Sequence, residues 1–161
     1  MRTIPLIAAA FLFTGCGPKE SPAPAAPEKS SAELKRVELF GAAIAADPAI
    51  AWRSSGLGVK LISPGEGAAL QMTDRVRLHY TGRLLDGTVF DDTRAKGKPA
   101  EFTVNGMIPG MAAGVMALKP GGRAVIYVPP SLGYRGMRFG NIPPLAGLIF
   151  ELELLAVNPE N

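Results

Sequence analysis

The stretch LHYTGRLLDGTVFDDT, Leu78–Thr93, decides how this chain is read. Leading into it, Val76, Leu78 and Tyr80 alternate with Arg75, Arg77 and His79, so a strand here has one apolar face and one basic face. Asp86-Gly87 predicts a type I′ hairpin, whose two central residues both need positive φ. The returning strand brings Phe90 and Asp91 back towards Tyr80. An aromatic pair with one carboxylate at its rim suits an apolar ligand better than a phosphate or a metal. By strand parity His79 points away from Tyr80 and reads as an exposed strand histidine, neither a base nor a ligand. Asp91 and Asp92 are adjacent and project to opposite sides of an extended chain, a poor arrangement for glycoside hydrolysis or for holding a cation.

Outward from this stretch the chain continues in short strands. They are expected at Val59–Ile62, Arg75–Thr81, Val89–Phe90, Ala100–Val104, Arg123–Pro129 and Leu148–Val157. The last alternates cleanly, with Phe150, Leu152 and Leu154 on one face and Glu151 and Glu153 on the other. One helix is expected in this region, about Met111–Leu118, stopped by Pro120-Gly121-Gly122. Many strands and one short helix imply an antiparallel α+β domain whose helix covers one sheet face. Nineteen Gly and fifteen Pro in 161 residues agree with a turn-rich β protein. A net charge of +3, with basic residues scattered along the chain, gives no reason to expect a nucleic-acid partner. There is no GxGxxG and no P-loop. The glycines of LKPGGR most simply end the helix and open a strand.

The N-terminus carries an export signature over residues 1–15. Arg2 is followed by an apolar run, Ile4–Phe13, and by Thr14-Gly15 before Cys16. The run is too short to cross a bilayer, which takes about 20 residues. Cys16 is the only cysteine and stands at the expected processing point, as in a bacterial lipobox, although Phe13 occupies the place where leucine is usual. This pattern implies lipidation of Cys16 and an exported protein anchored to the bacterial cell envelope, at the outer membrane or periplasmic face. Stable anchoring needs more than one acyl chain. Residues 16–29 form a Pro/Ala-rich flexible linker. Residues 30–55 are expected to be a helical N-terminal extension. Ser30 and Glu33 have capping-box spacing, and Leu34, Val37, Phe40, Ala43 and Ile44 form an apolar stripe. That stripe serves equally well to pack on the protein's own domain, to form a homodimer, or to carry another envelope partner.

Six stretches, in order, carry a family resemblance: YTGRLLDGTVFDDT, GKPAEFTV, MIPG, LKPGGRAVIYVPPSLGY, IPP and LIFELELL. Residues 56–158 resemble the FKBP family of peptidyl-prolyl cis-trans isomerases, most nearly its bacterial Mip-like branch. The resemblance implies a half-wrapped antiparallel sheet around one short helix, with a hydrophobic proline pocket between them. It implies isomerisation of Xaa-Pro bonds during the folding of exported proteins, without a cofactor or metal. Proline-containing polypeptides and macrolides would be the ligands. Carried over by residue, Tyr80, Phe90, Asp91, Tyr134 and Phe150 take catalytic positions, and Met107, Ile108, Met111 and Ile142 take substrate-binding positions. Phe90 and Phe150 would be aromatic walls, Ile108 would present its backbone N–H, Tyr134 would donate its hydroxyl to a substrate carbonyl, and Asp91 would sit at the rim. The chain departs from the family pattern at several positions. Met111 stands on the floor where many members have tryptophan, Ala100 where some have an aromatic, Arg135 where glycine is common, and Asn141 where an aliphatic is usual. These departures keep a second function open, a proline-peptide-binding chaperone or adaptor without useful turnover.

Overall fold

A computed structural model describes residues 30–159; the export segment, Cys16 and the linker lie outside them. Helices α1 (Ser31–Phe40) and α2 (Ala42–Ala45) come first. Seven strands follow: β1 (Ile50–Trp52), β2 (Gly58–Ser63), β3 (Arg75–Leu84), β4 (Val89–Asp92), β5 (Ala100–Thr103), β6 (Arg123–Val128) and β7 (Leu148–Val157). Helix α3 (Pro109–Val115) lies between β5 and β6. The sheet is antiparallel, in the order β1-β2-β6-β7-β3-β4, with β5 also on β3. This is the antiparallel α+β architecture that the residue pattern implied.

Strands β3 and β7 are its spine, each ten residues long and paired from Val76↔Val157 to Leu84↔Leu148. On the other edge of β3 two partners share the length. Strand β5 takes Arg75–Leu78 and β4 takes Thr81–Arg83, which leaves His79 and Tyr80 without a ladder partner on that side. Thr93 fills the gap. Its N–H donates to the Tyr80 carbonyl at 3.0 Å, and its hydroxyl oxygen accepts from the Tyr80 N–H at 2.9 Å.

Alternation on the inner face builds the core. Val76, Leu78, Ala124, Ile126, Val128, Leu152 and Leu154 are all buried there beneath α3. Each large aliphatic so buried stabilises the fold by about 1.5–3 kcal/mol. The outer face of the central strands is polar, with Arg77 on Glu101, an open pair of the kind that contributes little, and Arg123 on the half-buried Glu153. Helix α3 comes very close to β6. An added Cβ at Gly110 would lie 2.4 Å from Val128 Cγ1, and one at Gly114 would lie 2.7 Å from Ile126 Cγ2. The i, i+4 spacing puts both glycines on one helix face, which lets the helix rest directly on the two strand side chains.

Several expectations need correction. The Asp86-Gly87 hairpin is not type I′, because Asp86 has negative φ and only Gly87 is positive, at 89°. The loop is Leu85–Gly87, closed by Gly87 N–H to Leu84 O (3.0 Å) and Leu84 N–H to Thr88 O (2.9 Å), the three-residue form with glycine in the left-handed position. The Asp86 carboxylate accepts from the Thr88 N–H at 2.8 Å, so the aspartate acts through its side chain. Strands β3 and β4 run further than expected, to Leu84 and Asp92, and α3 begins earlier, with Pro109 in the first turn, where its missing N–H costs nothing. Val104 opens a short 3₁₀ turn and does not end a strand. His79 is not an isolated exposed side chain: it is half-buried, with Nδ1 2.9 Å from the Thr93 hydroxyl.

In the N-terminal stretch, Ser30 caps α1 through the Glu33 N–H, and Gly41, at φ 84°, ends it. Strand β1 then pairs with β2, an element too short to show a period in the sequence. Helix α1 packs on its own domain. Phe40 is buried against Trp52 (ring centroids 5.5 Å) and edge-on to Tyr127 (6.0 Å), while Leu34 of the same stripe stays 54% exposed.

Gly110→Ala tests the helix seat. The stiff β-branched Val128 cannot swing aside, so overpacking costs about 1–3 kcal/mol, more than the roughly 1 kcal/mol that alanine offers a helix. Urea unfolding is expected to show a lower midpoint with an unaltered slope.

Candidate active site

One pocket of about 310 Å³ opens where α3 leaves the inner sheet face uncovered. Tyr80 from β3, Phe90 and Asp91 from β4 and Phe150 from β7 supply one side. Met107 and Ile108 line the approach to α3, and Met111 of α3, 6% exposed, lies at the bottom. Tyr134 and Ile142 come from the long connection between β6 and β7. The nine pocket residues named from the sequence thus surround one cavity. Cys16, the remaining named residue, is outside the described residues.

The walls are mutually braced aromatics. Phe90 meets Phe150 edge-to-face at 5.6 Å and 85°, and Tyr80 meets Phe150 at 6.2 Å and 60°, geometries that place ring edges against π faces. Gly82 makes this arrangement possible. An added Cβ there would lie 2.6 Å from the Phe90 ring and 3.0 Å from the Phe150 ring. A glycine inside a strand is the sequence signal for such a close approach.

Polar groups at the rim are held in place. The Tyr80 hydroxyl donates to Asp91 Oδ2 at 2.7 Å, and Lys96 Nζ donates to Oδ1 at 2.5 Å. Burial works against the charge on Asp91, but the hydrogen bonds from Lys96 and Tyr80 outweigh it and hold the carboxyl below its ordinary range. Burial, the bond to Asp91 and the Asp91 charge together push the Tyr80 phenol well above its usual value. Burial and then the Asp91 charge raise Tyr134 as well, so both phenols stay protonated across the physiological range. The neighbouring Asp92 turns the other way and caps the following turn through Arg94 N–H (2.8 Å) and Ala95 N–H (3.2 Å), which sets Lys96 beside Asp91. At Ile108, φ −58° and ψ 145° leave the residue extended at the mouth of α3, where its carbonyl accepts the first helical bond from Ala112. Its N–H is one of the donors that a helix start leaves unpaired internally.

Sequence reasoning did not place Phe102, Gly106, Phe139 or Gly140 in the wall, noted Asn141 only as a departure from the family pattern, and did not find the Lys96 partner of Asp91. Phe102 stands 6.3 Å from Tyr80. Phe139 stacks on Tyr134 at 4.6 Å and 8°, brought there by a one-residue bridge to Ile142. Arg135, in place of the commoner glycine, takes φ 56°, a left-handed conformation that glycine adopts without strain.

Acid unfolding reports the Asp91 link. A carboxyl whose folded pKa is depressed contributes stability that is present above its unfolded value, near 4, and is lost as pH falls through the folded value. The stability difference between the wild type and Asp91→Asn is therefore expected to be constant from about pH 5 upward and to shrink below about pH 4. Chemical unfolding at a series of pH values measures it; a difference that persists unchanged into acid contradicts the assignment.

The family model for FKBP-type peptidyl-prolyl cis-trans isomerase matches residues 66–155. The FKBP-type 22 kDa peptidyl-prolyl cis-trans isomerase of Escherichia coli (strain K12) is 48% identical over 104 residues, which is 64% of this chain and 50% of that protein. The outer membrane protein MIP of Legionella longbeachae is 37% identical over 131 residues, 81% of this chain and 56% of the relative. The crystal structure of FkpA from Escherichia coli superposes with a TM-score of 0.71 at 33% identity, over 80% of this chain and 58% of that one. This chain spans about half the length of the curated relatives it matches. The matched span contains every pocket residue from Tyr80 to Phe150, and the chain belongs to the FKBP-type peptidyl-prolyl cis-trans isomerase family.

Proposed function

We propose that this protein is a peptidyl-prolyl cis-trans isomerase that accelerates Xaa-Pro exchange during the folding of exported proteins. The carrying observation is the pocket itself, an aromatic-walled cavity whose one carboxylate is already bonded through both oxygens. An Xaa-Pro bond favours trans by only about 0.5–1 kcal/mol, yet exchange takes tens to hundreds of seconds. Amide resonance sets a barrier of about 18–20 kcal/mol. Resonance puts charge on the amide oxygen and nitrogen, so removal from water penalises the planar amide more than the twisted one. A dry pocket shaped for the twisted form therefore lowers the barrier by differential binding alone. Phe90 and Phe150 exclude water around the ring of the substrate proline. The Ile108 N–H and the Tyr134 hydroxyl orient carbonyls on either side. Asp91 holds Tyr80 in the wall and transfers no proton. An acceleration of 10⁴–10⁵ asks the site for only about 5–7 kcal/mol.

Met111 supports a weaker second reading. A flexible thioether defines the floor less sharply than a rigid ring, which favours binding without turnover. We further propose that the protein is exported and held at the envelope through lipidated Cys16, a reading supported by the apolar run and the cysteine that follows it, and by a relative named as an outer membrane protein. A homodimer through α1 has less support, since Phe40 of its stripe is already packed on Trp52 and Tyr127. Macrolides of the kind that bind this family would compete for the same pocket.

Exchange of an Xaa-Pro peptide is expected to accelerate in proportion to protein and to be blocked by such a macrolide. Phe90→Ala and Asp91→Ala should each lower kcat/KM by about tenfold to a hundredfold, equivalent to about 1.4–2.7 kcal/mol of transition-state binding. Gly82→Ala should also lower it, although every aromatic remains. With no proton in flight, the rate should be flat between about pH 6 and 9. Folded protein that binds the peptide without accelerating exchange would favour the second reading.

A further inference from the structure

A second cavity, of about 430 Å³, lies between α1, the loop joining β1 to β2 and the segment that follows β6, and it shares no residue with the proline pocket. Lys35 and Arg36 line it together with Ser31, Ser54, Ser55 and Ser131, and no Asp or Glu does. Leu39, Phe40 and Pro129 supply an apolar base. The Arg36 guanidinium lies over the Trp52 ring at 5.2 Å, and its buried Nε has no hydrogen-bond partner among the described residues. Seven other cations of the described residues are paired with carboxylates; Lys35 and Arg36 are in none of those pairs.

This set of groups has the chemistry of an anion site. A guanidinium presents donors in a planar fork that fits a carboxylate, the ammonium adds a mobile charge, and the hydroxyls add further donors. Stacking on Trp52 has already restricted the guanidinium, so little side-chain freedom remains to be lost on binding. Its position names the occupant. Ser131 is only three residues before Tyr134 of the proline pocket, at most about 11 Å of chain. A polypeptide seated by its proline can cross that distance within about four residues. Resting on the isomerase reading above, we infer that the cavity is a subsite for an acidic side chain of the same polypeptide whose proline occupies the pocket.

The test uses two peptides with one Xaa-Pro core, carrying either Glu or Gln about four residues from the proline, on each side in turn. With the full chain at low salt, the Glu peptide is expected to show a KM about threefold to tenfold lower, an advantage that fades as salt is added. The double variant Lys35→Gln/Arg36→Gln should abolish the advantage and leave kcat/KM for the Gln peptide at the wild-type level. Because Arg36 also touches Trp52, Ser131→Glu provides a variant that leaves α1 intact, and it should reverse the preference. Equal KM values in the wild type, or a Glu preference that survives both variants, overturn the subsite. If neither peptide is turned over, the isomerase reading fails separately, and calorimetric Kd values for the same pair decide the subsite by the same comparison. Retention on phosphatidylglycerol vesicles without discrimination between the peptides overturns it in favour of a membrane surface.

Discussion

The close seat of α3 on β6 is the constraint from which the rest of the domain follows. Gly110 and Gly114 bring the helix down until Val128 and Ile126 occupy the space that side chains would take. At that height Val115 and Ala112 complete the core, and Met111 reaches across to close the bottom of the pocket. The helix has only seven residues, begun by Pro109 and followed by a turn into Pro120. It therefore covers part of the inner face and leaves the rest open. The cavity is that uncovered remainder, walled by side chains whose positions the core has already set.

The rim obeys a related logic. Both oxygens of Asp91 are taken, one by Tyr80 and one by Lys96, and both phenols keep their protons. These side chains are therefore held in place by bonds within the wall itself. Groups aimed in advance cost little at the moment of reaction, which is the condition under which a mostly apolar site can favour one amide geometry over another. The ion pairs of the outer sheet face, largely exposed and screened, make no comparable demand on position.

Much of this was legible in the chain. Alternation in β3 and β7 announced the spine, and the family resemblance carried by the six motif stretches implied that nine distant side chains share one pocket. What escaped the sequence escaped for physical reasons. Strand β1 has three residues and is held by pairing with β2, so it leaves no period. Phe139 reaches the wall through a loop bridge to Ile142, which no spacing rule encodes. Lys96 meets Asp91 only because Asp92 caps the turn between them. Asp86-Gly87 did mark a hairpin, but the turn took the three-residue form because Asp86 could bond Thr88 through its side chain while its backbone stayed in the common region.

The seam on β3 has a consequence for how such a protein can diversify. Where β5 hands over to β4, the sheet has no ladder bonds to lose, and Thr93 alone stitches Tyr80 to the neighbouring chain. The segment after it closes mostly on itself, with Gly97 N–H on Arg94 O and Lys98 N–H on Thr93 O, and residues 94–98 are exposed. Length and charge can therefore change there without shifting the register of either strand. The part of the rim nearest Asp91 is thus the part whose residues can change at least cost to the sheet, so its charge can vary while the scaffold stays the same.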